Sequence, residues 1–171
     1  MTDLSKASPR LNSPSIERVA LSELHTDPQN ARRHGSENLK AICDSLSAYG
    51  QVEPLVVQAS TGKVIGGNGR LEAMQELGWQ DALVAKVDFD DPKAMACAIA
   101  LNRTAELAEW DVGALLEHTD ELAEMGFDLA DTGFSDDVLR SMARAHETQN
   151  LEEQTPDEDL DDVPEPPKEA I

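Results

Sequence analysis

The sequence predicts an α/β (α+β) domain, continued by a C-terminal helical extension and a disordered acidic tail. Three observations carry this. Between residues 16 and 110, short apolar runs of strand length alternate with segments whose apolar residues recur at helical spacing. Between 111 and 146 only the helical spacing remains. From Thr148 on periodicity is lost, and Pro156, Pro164, Pro166 and Pro167 stand among acids, which is linker composition. The expected divisions are a disordered lead-in over 1–15, rich in Ser, Pro and Asn, an α/β domain over 16–110, a helical extension over 111–146 and an acidic linker or tail over 147–171.

Ile16 to Leu24 reads as a short strand, and His25-Thr26-Asp27-Pro28-Gln29-Asn30 as a loop. Ser36 is placed to cap a helix whose Leu39, Ile42, Leu46 and Tyr49 keep one face apolar, with Gly50 as its stop. Pro54 to Gln58 is a strand, Ser60 to Lys63 a turn, and Lys63 to Gly66 the return strand of a hairpin. Leu71, Met74 and Leu77 mark a short helix ended by Gly78. Ala82 to Phe89 is a further strand, with Leu83, Ala85 and Val87 alternating against Val84, Lys86 and Asp88. Asp91 is the expected cap of a helix opening on Pro92 and running to about Leu107. Asp111 caps the next, with Leu115, Leu116, Leu122 and Met125 on one side. Ser135 starts the last, with Asp136 and Asp137 in its first turn and Val138, Leu139 and Met142 on its apolar side. Trp110 is expected to plug the core between the domain and its extension.

The net charge of -20 is unevenly spread. Residues 1–75 carry eight acids and eight bases, residues 76–146 sixteen acids against five bases, and residues 147–171 ten against one. A duplex reader normally presents a basic face, because neutralised phosphates supply much of its affinity. A helix-turn-helix reader over 91–146 is therefore not expected, and any contact with DNA should be indirect or weak. Cys43 and Cys97 are far apart and lie in apolar helical patterns, which suits buried structural thiols better than a disulfide or zinc site. No apolar segment follows Met1 and no run approaches the ~20 residues of a membrane span, so a cytoplasmic setting without membrane contact is expected.

The chemistry concentrates in Val64-Ile65-Gly66-Gly67-Asn68-Gly69-Arg70. Glycines let the backbone turn sharply and let N–H groups converge, a helix N-terminus adds partial positive charge, and Arg70 adds a full one with a planar donor fork. Gly66, Gly67, Asn68, Gly69 and Arg70 can thus form a phosphate cradle, though not a Walker loop, since no Lys-Ser or Lys-Thr pair follows. The same residues also suit a turn made for packing, with Arg70 paired to a surface carboxylate. Arg32 and Arg33 are candidates to help Arg70 hold an anion, and His34 beside them is a candidate base or a plain loop residue. Asn102 and Glu106, one helical turn apart, are weak candidates to share a metal ion, or else part of a solvated face.

Taken in order, strand, helix, hairpin, Gly-x-x-Arg turn, short helix, strand and helical block resemble the ParB/sulfiredoxin superfamily over about residues 16–110. Asp27-Pro28-Gln29-Asn30-Ala31-Arg32-Arg33-His34 is similar to the family's Asn-Pro-Arg-Arg loop, Gly50-Gln51-Val52-Glu53-Pro54 to its Gly-x-x-Gln-Pro segment, and Gly67-Asn68-Gly69-Arg70 to its Gly-x-x-Arg phosphate motif. The resemblance implies a small mixed sheet and a nucleoside triphosphate site, for CTP or ATP with Mg2+, at Gly66–Arg70, Arg32, Arg33 and Asn102. Sulfiredoxin's catalytic Cys is replaced by Asn68, so redox repair is not implied. Of the Glu-Asn-x-x-Arg motif of CTP-switching ParB proteins only Asn102 is kept, with Leu101 for Glu and Ala105 for Arg. Efficient hydrolysis is therefore not expected.

Ala98 to Asp111, Gly126-Phe127-Asp128-Leu129 and Thr132-Gly133-Phe134 resemble the branch in which this domain fronts phage and mobile-element DNA methyltransferases. The Asp-Pro-Pro-Tyr-type motif of the methyltransferase half does not occur in the chain, so no methyl transfer is expected from it alone. The function implied is a phosphate- or nucleotide-binding accessory module for DNA modification, partnered by a DNA methyltransferase or another DNA-processing protein. The alternatives are a ParB-like nuclease or nucleotide hydrolase, and an acidic interaction module without catalysis.

Overall fold

The computed structural model describes residues 14–28 and 30–154, with side chains placed as far as Leu151. The expected lead-in before residue 14 and the tail beyond residue 154 lie outside the described residues. Strand β1 (Ser15–Ala20) pairs antiparallel with β5 (Asp81–Val87), which runs parallel to β3 (Leu55–Gln58). The hairpin joins β3 antiparallel to β4 (Lys63–Gly66), and β2 (His25–Thr26) adds a parallel edge to β4. The mixed sheet thus has the order β1-β5-β3-β4-β2. The long first strand expected over Ile16–Leu24 is broken: Leu21–Glu23 form a 3-10 turn, with Leu21 N–H bonded to Gln80 O and His25 N–H to Gly62 O. Residues 25 and 26, expected as loop, are strand because two backbone positions pair with Lys63 and Val64.

Helices α1 (Ser36–Tyr49) and α2 (Asn68–Glu76) pack against each other over one face of the sheet. The core between them and the strands holds Leu46, Leu55, Val57, Val64, Leu71, Met74 and Val84. Each large apolar side chain sealed there contributes about 1.5–3 kcal/mol relative to exposure. Strand alternation turns Val56, Ile65 and Ala85 to the opposite face, where α3 (Asp91–Glu106) packs on β4. The expected phase of β5 is inverted: Ala82 and Val84 point into the core and Leu83 stays substantially exposed.

Several helix ends shift by a residue. Ser36 is the first residue of α1, and Gly35 stands at the cap without a side chain to accept. Asp90 rather than Asp91 caps α3, its carboxylate accepting from Lys93 N–H, while Asp91 accepts from Gln58 Nε2. Asp111 does cap α4 (Val112–Glu124), accepting from Ala114 N–H. A second 3-10 turn (Leu129–Thr132) rests on α1. Helix α5 (Asp136–Gln154) pairs with α4 and extends eight residues past residue 146, the expected end of the helical extension. Trp110 does not plug a core: it is 65% exposed and meets Phe134 edge-on, with ring centroids 5.5 Å apart. Cys43 and Cys97 are free and partly rather than fully buried.

Two tethers are side-chain work. The Gln51 amide accepts from Leu83 N–H at 2.7 Å and donates to Leu83 O at 2.8 Å, completing the β5 ladder where β3 has not yet begun. Gln58, 1% exposed, donates to Phe89 O and to Asp91 and accepts from Thr61 Oγ1, so a polar group inside the core is fully used. At the sheet edge, the Ser15 hydroxyl first, then Lys86, hold the Glu17 carboxyl below its ordinary pKa.

Candidate functional site

The turn from β4 into α2 is made by Gly67 at φ 91°, a left-handed conformation that side chains other than hydrogen rarely adopt. No side chain caps α2, so its first-turn N–H groups are left for solvent or a ligand. They face a cleft of about 340 Å3 lined by Arg32, His34, Gly66, Gly67, Gly69, Arg70 and Asn102, among others. The three motif regions, far apart in sequence, thus meet on one concave surface. Arg33 stands apart, in a neighbouring groove of about 620 Å3 that shares Arg32 and Asn102 with the cleft and adds Arg103, Met95 and Ile99 from α3. Four guanidinium groups surround the two hollows of a chain that is otherwise strongly acidic.

The packing turn with Arg70 paired to a carboxylate, one of the two readings of the glycine turn, is present. Each glycine is required by a close approach. An ideal Cβ on Gly66 would stand 2.9 Å from Leu101 Cδ1, on Gly67 2.8 Å from Leu55 Cδ2, and on Gly69 2.8 Å from the His34 ring. Asn68, which also lines the cleft, accepts from Asp27 N–H at 3.2 Å, which ties the arginine loop to the turn. The His34 ring is fixed by Asn38 Oδ1, 2.7 Å from Nδ1. Arg70 is held through Nη1, which donates to Glu53 O at 2.9 Å and sits 2.8 Å from Glu53 Oε2. In the neighbouring groove Arg32 pairs with Glu106 Oε1 at 3.1 Å, and Arg103 reaches the same carboxylate at 3.6 Å.

The proposed metal pair is placed one turn apart on α3, as its spacing requires, but both members are engaged. Asn102 Nδ2 donates back to Ala98 O at 2.9 Å, and Glu106 is taken by two guanidinium groups. Among the described residues, no three of His, Cys, Asp and Glu come together as a metal cage. Glu53 and Leu101 are the cleft residues that the sequence did not single out as ligand-facing. Glu53 is 17 residues from Arg70, so no local spacing signals the pair.

A mixed five-stranded sheet, two helices on one face and an uncapped glycine turn facing an arginine loop define a small mixed α/β fold. The chain belongs to the ParB N-terminal domain family, which matches residues 5–103; residues 115–171 match the ParB-methyltransferase HTH domain. The second match overturns the expectation that a helix-turn-helix is absent. The charge count bears on affinity for a duplex and says nothing about how helices connect. The structure is similar to that of C-terminally truncated chromosome-partitioning protein ParB from Caulobacter crescentus complexed with CTP-gamma-S. The TM-score is 0.66 at 18% identity, over 80% of this chain and 83% of that one. A Pnob8-like ParB-N domain gives 0.46 at 24% identity, over 67% and 48%, and the Caulobacter protein complexed to the centromeric parS site 0.44 at 18%, over 79% and 76%. No curated protein matches the chain. Among the described residues no helix is long and apolar enough to cross a membrane.

Proposed function

We propose that this chain is a nucleotide-binding module that serves DNA modification, with its cleft holding the phosphates of a nucleoside triphosphate. The observation that carries the reading is the convergence of Arg32, Arg70, Asn102 and the uncapped N-terminus of α2 on one cleft. Backbone N–H groups at a helix start and planar guanidinium forks are the donors that phosphate oxygens select. The residues fit a phosphate group and do not fit a protein-held metal, so Mg2+ would arrive with the nucleotide and draw most of its ligands from phosphate and water. A bound nucleotide supplies negative charge that links the arginine loop, the turn and α3. Leu101, beside Gly66, offers no carboxylate, and Ala105 no cation, so the module binds without efficient hydrolysis.

CTP leads the candidates, since the Caulobacter relative was solved with a CTP analogue; ATP is next. The match of residues 115–171 to a domain named for methyltransferases supports a DNA methyltransferase, or another DNA-processing protein, as partner. Calorimetric titration with CTP, ATP and GTP, with and without Mg2+, tests the reading. One nucleotide is expected to bind, and Arg70→Ala to weaken it by about tenfold or more. Absence of binding by all three overturns it. Co-purification with a methyltransferase from the same genome checks the partner.

A further inference from the structure

We infer that the Glu53 carboxylate is a built-in competitor for the Arg70 anion site, and that it sets how much negative charge a ligand must bring. The inference deepens the phosphate reading above and rests on it. Arg70 is the fixed member of the pair: its side chain is 23% exposed, and its Nη2 and Nε pack 3.1 and 3.2 Å from where a Gly67 Cβ would stand. Its guanidinium also has a backbone acceptor in the Glu53 carbonyl, which stays when the carboxylate leaves. The Glu53 carboxylate is the movable member, 73% exposed on the rim of the same cleft.

An arriving anion therefore does not meet a bare cation. It must displace a carboxylate that is tethered a few ångströms away and returns whenever the ligand leaves. Displacement leaves Arg70 in place, because the carbonyl still holds it. A singly charged anion gains little from this exchange, since it replaces one carboxylate with another charge of the same size. A chain of phosphates gains more, because it also reaches the start of α2 and Arg32, where Glu106 plays the same part from α3. The cleft thereby discriminates by charge number: polyphosphate is taken, and monoanions are turned away.

The test uses the full chain and tripolyphosphate as probe, with CTP as a second ligand, in calorimetry at low salt. Glu53→Gln keeps the size and the backbone carbonyl but removes the charge; Glu53→Ala removes the side chain. Both are expected to bind tripolyphosphate about fivefold more tightly than the parent, with the gain shrinking as salt rises. The gain should vanish in the double variant Glu53→Gln with Arg70→Ala. If the parent binds, Arg70→Ala abolishes binding and both Glu53 variants match the parent, the competitor inference falls while the phosphate reading stands. If only the Glu53 variants bind, the inference is upheld in its strongest form. If neither the parent nor any Glu53 variant binds any phosphate ligand, both fall together.

Discussion

Gly67 turns the chain at φ 91°, with Leu55 and Arg70 pressed against the place where a side chain would begin. Gly67→Ala is accordingly expected to destabilise the fold by about 1–3 kcal/mol, read as a lower urea midpoint, because backbone strain and the clash with buried Leu55 act together. Cys43 is the other single residue whose surroundings fix its chemistry. Burial first, then the nearby Glu76 carboxylate, push its thiol above the ordinary range. The neutral form is favoured in the fold, so this contribution to stability is complete below the unfolded thiol pKa and is lost as pH rises through the raised one. Alkylation of Cys43 by iodoacetamide at mildly alkaline pH should be slower in the folded chain than in urea. Of the two readings the sequence offered for the glycine turn, the packing turn with a paired arginine is the one the contacts display. What sequence did not supply was the partner: a carboxylate 17 residues away is brought to Arg70 by sheet topology, not by spacing.

The helices show how far local chemistry carries. Two consecutive aspartates precede Pro92 at the start of helix α3, and either one satisfies the capping pattern. The tie is broken from outside the helix, because buried Gln58 captures Asp91 and leaves Asp90 to cap. Asp90→Ala should cost about 1 kcal/mol of stability in chemical denaturation. Gln58→Leu should cost about 1–3 kcal/mol in the same measurement, because it strips partners from Phe89 O and Thr61 inside the structure. Strand β5 was located but its phase was reversed. Ala82 and Val84 are buried on one face and Ala85 on the other, so alternation carries little contrast there. β2 was missed for a different reason: two residues are too few for any period to register. Gly50, Gly78 and Asp111 were read correctly because helix stops and caps depend on a single residue's conformational freedom or acceptor.

Over the whole molecule, charge is the dominant fact. A net charge of -20 repels itself in the compact state, so raising ionic strength from about 0.01 M to 1 M should raise the thermal midpoint, as the screening length falls from about 30 to 3 Å. The same balance predicts no measurable shift of a random-sequence DNA duplex at physiological salt, although residues 115–171 match a domain named for a helix-turn-helix. Sheet order was not legible from periodicity, which locates strands without saying which lie side by side, and the family resemblance implied only a small mixed sheet. One detail of that order has a remote effect. Residue 21 is fastened beside Gln80, ahead of β5, and residue 25 beside Gly62, ahead of β4, and those two strands run in opposite directions. Leu21–Glu23 form a 3-10 turn closed by Leu24 N–H on Leu21 O, so the link is short and the two ends it joins stand close together. The arginine loop starts where that link ends. One extra residue spliced into the link would leave every group around the cleft unchanged, yet let Arg32 drift out of register with its counterparts.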